Sequence, residues 1–419
     1  MEINNILSLF DGMSCGQIAI NKLGIKYKNY FASEIDKHSI KVCLANYPNT
    51  KQLGSVTDVK SEDLPQIDLL IGGSPCQSFS FAGKQKGMST KCNEEILTLQ
   101  RYKELKKGGF EFEGQSYLFW EYVRILKETK PKYFFLENVM MSEKWEKLIS
   151  KTLGVNPIMI NSSLVSAQNR KRLYWTNIGL ETDKTDLFGG VKSIIKQPED
   201  KGILLKDILE KEVDSKYFLS DKMISFFEEN SKKMKEKGNG FRFEPTKGDK
   251  KSKTLTTLNG SRMDDNFIKI IPCDQGFKEI KEKQNGKTGT LTARAREDES
   301  CGQLVKIEYA FAYTEQRTEE AKQERKEHKA KTGKDFCSRR GKELVPRYDN
   351  KMNTLTTTQS NESIINDSMV IRRLTPIECE RLQTVPYNYT NHVSDSQRYK
   401  MLGNGWTIDV IAHVLNYIK

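Results

Sequence analysis

The run Ile67-Asp68-Leu69-Leu70-Ile71 empties directly into Gly72-Gly73-Ser74-Pro75-Cys76-Gln77-Ser78-Phe79-Ser80. So short an apolar run, bounded by turn residues, reads as a strand buried on both faces, as in a parallel sheet covered by helices. A Gly-Gly turn followed by a proline holds the next residue at the carboxyl edge of that sheet, where open α/β folds place their chemistry. That residue is Cys76. A free cysteine is more often a buried structural residue. Here the polar Gln77 and Ser78 beside it argue for the partial exposure that a nucleophilic thiolate needs.

The flanking segments alternate in the same style. Ile3–Phe10 reads as a strand, followed by a glycine-rich turn and a helix at Gln17–Leu23. Lys28–Ser33 reads as a second strand closing at Glu34, with a helix at Ser39–Asn46. Tyr117–Glu128 carries Leu118, Tyr122, Ile125 and Leu126 at helical spacing, and Lys132–Leu136 is another buried strand. This βαβ alternation predicts an α/β fold with a doubly wound, mostly parallel sheet. From 181 to 369 apolar content falls, and the runs Lys253–Thr257, Gly289–Ala293 and Asn353–Thr357 repeat a Thr-Leu-Thr core. That texture predicts an irregular β-rich domain with a charged helix at Glu315–Lys331. Near 370 the α/β texture returns. Thr375, Pro376 and Glu378 form a capping box with proline in the first turn, and Met401-Leu402-Gly403-Asn404-Gly405 leads into an amphipathic helix at Ile408–Ile418. The expected organisation is one domain of 1–180 plus 370–419, interrupted by an insert at 181–369.

Composition narrows the functional classes. Eight cysteines without a CxxC pair, and only four histidines, argue against a disulfide framework or a zinc site and for a reducing cytoplasm. No basic leader opens the chain, and no apolar run approaches the length of about 18 residues that a membrane span needs. The net charge of +12 is spread along the chain, with denser basic stretches at Lys232–Lys253 and Arg317–Lys342. Such a balance suits a polyanionic partner.

Other residues belong with the edge of the sheet. The loop Phe10-Asp11-Gly12-Met13-Ser14-Cys15-Gly16 lies between first strand and first helix, where small residues let backbone approach a ligand. Glu34 follows at the spacing of an acid that takes a ribose hydroxyl pair. Asp58, after a third strand, suits an adenine amino group. Together they predict a nucleoside-bearing cofactor without a pyrophosphate cradle, a description that S-adenosylmethionine meets. Glu137-Asn138-Val139 is expected just after the strand Lys132–Leu136, where burial would let a carboxyl hold a proton near neutral pH. Ser166-Ala167-Gln168-Asn169-Arg170-Lys171-Arg172 precedes the apolar strand Leu173–Trp175, and its alternate arginines suit a bidentate grip on a phosphate or base carbonyl.

In this order the pieces resemble the cytosine-C5 DNA methyltransferases of bacteria and their viruses. The resemblance rests on Phe10-Asp11-Gly12, Glu34-Ile35-Asp36, Gly72–Ser80, Glu137-Asn138-Val139, Gln168–Arg172, Arg373-Leu374-Thr375 and Leu402-Gly403-Asn404-Gly405. It implies a Rossmann-like, S-adenosylmethionine-dependent methyltransferase domain with a target-recognition domain at 181–369. It further implies attack by Cys76 on carbon 6 of a flipped-out cytosine, Glu137 bonding the ring, and Arg170 and Arg172 orienting base and phosphate. The adenosyl site would use Phe10, Gly12, Glu34, Ile35, Asp58, Pro75, Leu118 and Asn404. The implied partner is double-stranded DNA, with a cognate restriction endonuclease as a candidate and a monomer as the expected state. Three departures stand out: Ser14 and Cys15 occupy positions where the family usually has glycine, the segment 88–113 is extra, and the C-terminal motif reads Gly403-Asn404-Gly405. A tRNA methyltransferase of the same family and a silent DNA-binding regulator are the competing readings. The length of the middle region argues against the first, and intact Cys76, Glu137 and Arg170 against the second.

Overall fold

The computed structural model describes residues 3–75, 88–182, 191–257, 266–270, 273–276, 279–282, 304–305, 312–317, 319–332, 342–347 and 370–418, apart from 93, 211–212 and 239–241. Cys76 and the Thr-Leu-Thr runs at 289–293 and 353–357 lie outside the described residues. The chain divides into two compact units: Met1–Leu209, Gly248–Asn266 and Leu374–Lys419 form the first, and Glu210–Lys247 with Phe267–Arg373 the second.

The first unit is built on a seven-stranded sheet. Its elements in chain order are β1 (Asn5–Leu9), α1 (Cys15–Lys22), β2 (Asn29–Ser33), α2 (Lys37–Asn46), β3 (Lys51–Gln52) and β4 (Leu69–Gly72). There follow β5 (Ser89–Thr90), α3 (Leu99–Lys107), β6 (Phe112–Glu113), α4 (Phe119–Thr129), β7 (Tyr133–Val139), α5 (Glu143–Leu153), β8 (Ile158–Asn161) and β9 (Lys171–Thr176). The sheet order is β3-β2-β1-β4-β7-β9-β8. β3, β2, β1, β4 and β7 run parallel, and β9 is antiparallel to both β7 and β8. Strand order reverses between β1 and β4, so the crevice for a ligand lies beyond their carboxyl ends. Leu69, Leu70 and Ile71 are wholly buried, as a central strand with helices on both faces requires. The extra segment 88–113 folds into the small β5–β6 ladder and α3, and packs Met88, Ile96, Tyr102 and Leu105 into the main core.

β7 runs three residues further than the apolar pattern indicated: Glu137, Asn138 and Val139 are inside the strand rather than after it. Their ladder partners are Tyr174, Leu173 and Arg172 of β9, so backbone pairing carries the polar residues along. The first unit also extends past residue 180. Leu205 and Ile208 are buried in it, the Arg381 guanidinium donates to the Ile208 carbonyl, and Ser252 exchanges backbone hydrogen bonds with Ala167 and Asn169. These anchors are too sparse to register as a change in hydrophobic texture. The helix Pro376–Leu382 opens with the Thr375–Glu378 capping box, both reciprocal bonds being present.

In the second unit the helix Asp221–Glu236, capped by Ser220, packs Phe227 against Phe243 and Phe267, with ring centroids 5.2 to 5.6 Å apart. Thr246–Lys247, Phe267–Ile270 and Val370–Arg373 form a three-stranded sheet. Ala312–Arg317 pairs with Lys342–Arg347, and the charged helix runs Glu319–Thr332 because the strand takes up Glu315–Arg317.

Candidate active site

The carboxyl edge of the first unit's sheet opens into a cavity of about 320 Å³. Its walls come from the loop after β1, the ends of β2 and β4, the end of β7, the entry to β9, and the C-terminal stretch around Gly403–Trp406. The loop after β1 is wound tightly: Phe10, Gly12 and Ser14 all take left-handed φ values of 57°, 58° and 67°. Such values cost little at glycine and more at phenylalanine and serine, so tertiary bonds must hold the loop. Glu34 supplies one of them, and the Ser33 carbonyl, accepting from the Asp11 amide at 3.1 Å, another. Glu34 Oε2 accepts from the Gly12 amide at 2.8 Å, and its Oε1 from the amides of Ile35 and Asp36, both at 2.8 Å. A carboxylate has about four acceptor directions, so these three bonds leave one open on a side chain that lines the cavity. Ile35 stands beside it with 72% of its surface exposed, an apolar side chain left free at a pocket rim.

Beneath the loop, Asp11 is almost wholly buried. Tyr30 donates to its Oδ1 at 2.9 Å, while Oδ2 is buried without a hydrogen-bond partner. Burial pushes its carboxyl up to about 6, partly opposed by the Ser8, Ser14 and Tyr30 hydroxyls and reinforced by the charge of Glu34. Cys15, at the start of α1, is also sealed in, and burial drives its thiol up to about 12. That thiol stays protonated and accepts a hydrogen bond from the Trp406 amide at 3.4 Å. It is a structural cysteine.

Glu137 forms the opposite wall. It is 8% exposed, with Oε1 3.1 Å from Arg172 Nε and Oε2 accepting from Trp406 Nε1 at 3.1 Å. Asn138 donates to the Ser74 carbonyl at 3.3 Å and hydroxyl at 3.1 Å, fixing the turn that leads to Pro75. Gly73 is required in this turn: a β-carbon there would lie 2.9 Å from Trp406 Nε1 and 3.2 Å from Glu137 Oε2.

The two arginines diverge. Arg172 faces Glu137, whereas Arg170 is 3% exposed and turns inward. Its guanidinium donates to the carbonyls of Leu255 at 3.4 Å, Gly403 at 3.2 Å and Gly405 at 2.8 Å. Those bonds clamp the C-terminal stretch and the Lys253–Thr257 run to the entry of β9. The run has no strand of its own. Its Thr256 carbonyl lies so close to Gly403 that a β-carbon there would sit 2.4 Å from the oxygen.

Known proteins share this chain's sequence pattern and fold. The sequence profile described as C-5 cytosine-specific DNA methylase matches residues 4–419. The chain belongs to that family. Similar proteins include the orphan methyltransferase M.SPRI of Bacillus phage SPR, 27% identical over 98% of this chain and 96% of that protein. Another is the type II methyltransferase M.BanI of Aneurinibacillus aneurinilyticus, 27% identical over 95% and 90%. The fold is similar to a crystal structure of Spodoptera frugiperda DNMT2, with a TM-score of 0.54 at 18% identity over 99% of both chains. It is also similar to the Entamoeba histolytica methyltransferase EhMeth, with a TM-score of 0.56 at 14% identity over 100% and 98%. The fold is the Rossmann-like methyltransferase fold.

In this methylase the cavity gathers Phe10, Gly12, Glu34, Ile35, Pro75, Leu118, Glu137, Arg170, Arg172 and Asn404. Cys76, next in the chain after Pro75, lies outside the described residues. Asp58 does not join them. It is exposed, its amide bonded to the Ser55 carbonyl, and the pocket takes Gly54, Ser55 and Val56 from that turn instead. The cavity is also lined by Asp11, Ser74 and Trp406, which sequence reading passed over. An aspartate at the loop's most confined position was the available signal for Asp11. No signal connected Trp406 to a glutamate 269 positions earlier. Among the described residues no helix is long and apolar enough to cross a membrane, and no cluster of side chains could hold a metal ion.

Proposed function

We propose that this methylase transfers a methyl group from S-adenosyl-L-methionine to carbon 5 of a cytosine flipped out of duplex DNA, through a covalent adduct on Cys76. The observation that carries the reading is the convergence on one cavity of Glu34, the Ser74-Pro75 turn and the Glu137–Arg172 pair. The cavity residues suit the donor. The open acceptor direction on Glu34 matches a ribose hydroxyl, and exposed Ile35 with Phe10 and Leu118 offers apolar cover for a purine. Pro75 and Asn404 complete the wall, and the donor when bound supplies an electrophilic methyl group.

The chain's own groups account for the rest. The Cys76 thiolate forms a bond to carbon 6 of the ring, and the displaced electron pair makes carbon 5 nucleophilic. Glu137 hydrogen-bonds the ring at N3 and the exocyclic amine, stabilising the charge that attack places there. Once carbon 5 has bonded the methyl group, its proton leaves to solvent, the carbon–sulfur bond breaks and the thiolate is restored. Arg172 holds Glu137 in the orientation this needs. Arg170, spent on three carbonyls, acts on the reaction by fixing the wall around Gly403–Gly405. The geometry is inaccessible in a stacked duplex, so the base must be extruded, at a cost of a few kcal/mol.

On the same reading, the first unit carries catalysis, the second reads the major groove around the target, and the protein works as a cytoplasmic monomer. Tritiated methyl transfer to duplex DNA by wild type and Cys76→Ser tests the chemistry: wild type labels DNA and the variant does not. Labelling of tRNA alone, or of neither nucleic acid, overturns the reading. Exchanging 267–373, the longer segment of the second unit, for the equivalent region of a relative is expected to move the methylated sequence. Bisulfite sequencing of cells expressing the hybrid reads the outcome.

A further inference from the structure

Trp406 stands outside every role assigned above, yet it touches both β7 and the start of α1. Its indole Nε1 donates to Glu137 Oε2 at 3.1 Å, its backbone amide donates to Cys15 Sγ, and its ring meets Phe135 edge-on at 5.7 Å. The indole is 9% exposed and fills the space that any β-carbon on Gly73 would claim. Glu137 therefore has a partner on each oxygen, an ion pair with Arg172 at Oε1 and the Trp406 indole N–H at Oε2. An ion pair alone would leave the carboxylate free to rotate about its terminal bond; the directional Trp406 bond on the other oxygen, from a different part of the chain, sets its plane. From this geometry we infer that Trp406 is a positioning residue for Glu137, holding the carboxylate plane in which the ring of the target base is met. Phenylalanine in its place keeps the apolar packing on Phe135 and loses the one N–H. The inference rests on the role proposed for Glu137.

The position of Trp406 also explains the departure of the C-terminal motif. Gly405 must come close to Cys15 and Met13 for the indole to reach Glu137: a β-carbon on Gly405 would lie 2.8 Å from Met13 Cε and 3.3 Å from Cys15 Sγ. Glycine at 405 and tryptophan at 406 are thus one structural choice, and Gly73 on the facing turn is its counterpart.

The test is a cycle of Trp406→Phe, Glu137→Gln and the double variant, read as single-turnover methyl transfer, with donor and DNA affinities measured separately. Loss of a hydrogen bond to a charged group predicts a roughly ten- to hundredfold fall in the transfer rate for Trp406→Phe. KM for DNA and the donor Kd stay within about twofold. In the Glu137→Gln background Trp406→Phe is expected to add almost nothing, because the group it positions has already changed. Gly73→Ala, which intrudes on the same pair, is expected to reproduce both results and serves should Trp406→Phe fail to fold. A Trp406→Phe enzyme as fast as wild type, or a loss of equal size in both backgrounds, overturns the inference. A fully active Glu137→Gln instead overturns the role of Glu137 itself.

Discussion

Asp11 should make this protein less stable as pH rises through the weakly acidic range, and Asp11→Asn should remove that dependence. In the folded state burial holds its carboxyl near 6, against 3.8 for a free aspartate. Below about pH 4 the group is protonated in both states and costs nothing. Between 4 and 6 the folded chain holds a proton that the unfolded chain has lost, so stability falls as pH rises. Above 6 both are ionised and the full cost remains. A shift of about 2 units corresponds to about 3 kcal/mol. For a unit of this size that is a Tm difference on the order of 5 °C. Asparagine keeps an oxygen for the Tyr30 hydroxyl and cannot ionise. Thermal unfolding of both proteins between pH 4 and 8 checks the argument: the variant should gain over wild type above pH 6, and the curves should merge near pH 4. An offset that is constant with pH would refute the reasoning, since it would mean the carboxyl does not change its proton affinity on folding. The groups facing Asp11 from neighbouring elements are Ser8, Tyr30, Ser14 and Glu34.

The remaining expectations concern the clamps around the cavity. Arg170→Lys should destabilise the fold by about 2–4 kcal/mol, because one ammonium cannot span the Leu255, Gly403 and Gly405 carbonyls; urea unfolding measures it, and a stability equal to wild type would dismiss the clamp. Glu34→Gln places an amide where a carboxylate accepted three backbone N–H groups. It should weaken donor binding at least tenfold, or about 1.4 kcal/mol, as read by calorimetry, and unchanged affinity would detach Glu34 from the donor site. Gly403→Ala drives a β-carbon into the Thr256 backbone, so it should cost about 1–3 kcal/mol by the same urea assay.

What could be read in advance divides along physical lines. β4 announced itself because a central parallel strand has no solvent face, and the Thr375 helix start because its cap is written in adjacent residues. Glu34 was legible from its spacing after the glycine-rich loop. The divergence of the arginines was not. Alternation places Arg170 and Arg172 on one side of an extended chain, but Arg170 precedes the first residue of β9 and rotates toward carbonyls from distant segments. Asp58 stands apart from the pocket for a related reason: the turn after β3 offers Ser55 and Val56 to the pocket and its acid to solvent. The boundary at 180 missed Leu205, Ile208 and Leu255, single apolar anchors in a polar stretch that only tertiary packing reveals.

The arrangement of the clamps bears on how one catalytic unit can carry a long excursion without losing its site. The wall around Gly403–Trp406 comes from the end of the chain, yet it is tied to the beginning through Cys15, to β7 through Glu137, and to the entry of β9 through Arg170. None of these ties involves a residue of the second unit. That unit's longer segment starts at Phe267 and ends at Arg373, and these two residues pair directly in an antiparallel ladder. A segment whose ends are hydrogen-bonded neighbours can lengthen or shorten at the cost of loop entropy alone, and that cost grows only logarithmically. The cavity wall should therefore tolerate change anywhere between Ile270 and Val370, and resist it at Gly73, Arg170, Gly403 and Trp406, where tight packing or a shared hydrogen bond leaves no room for it.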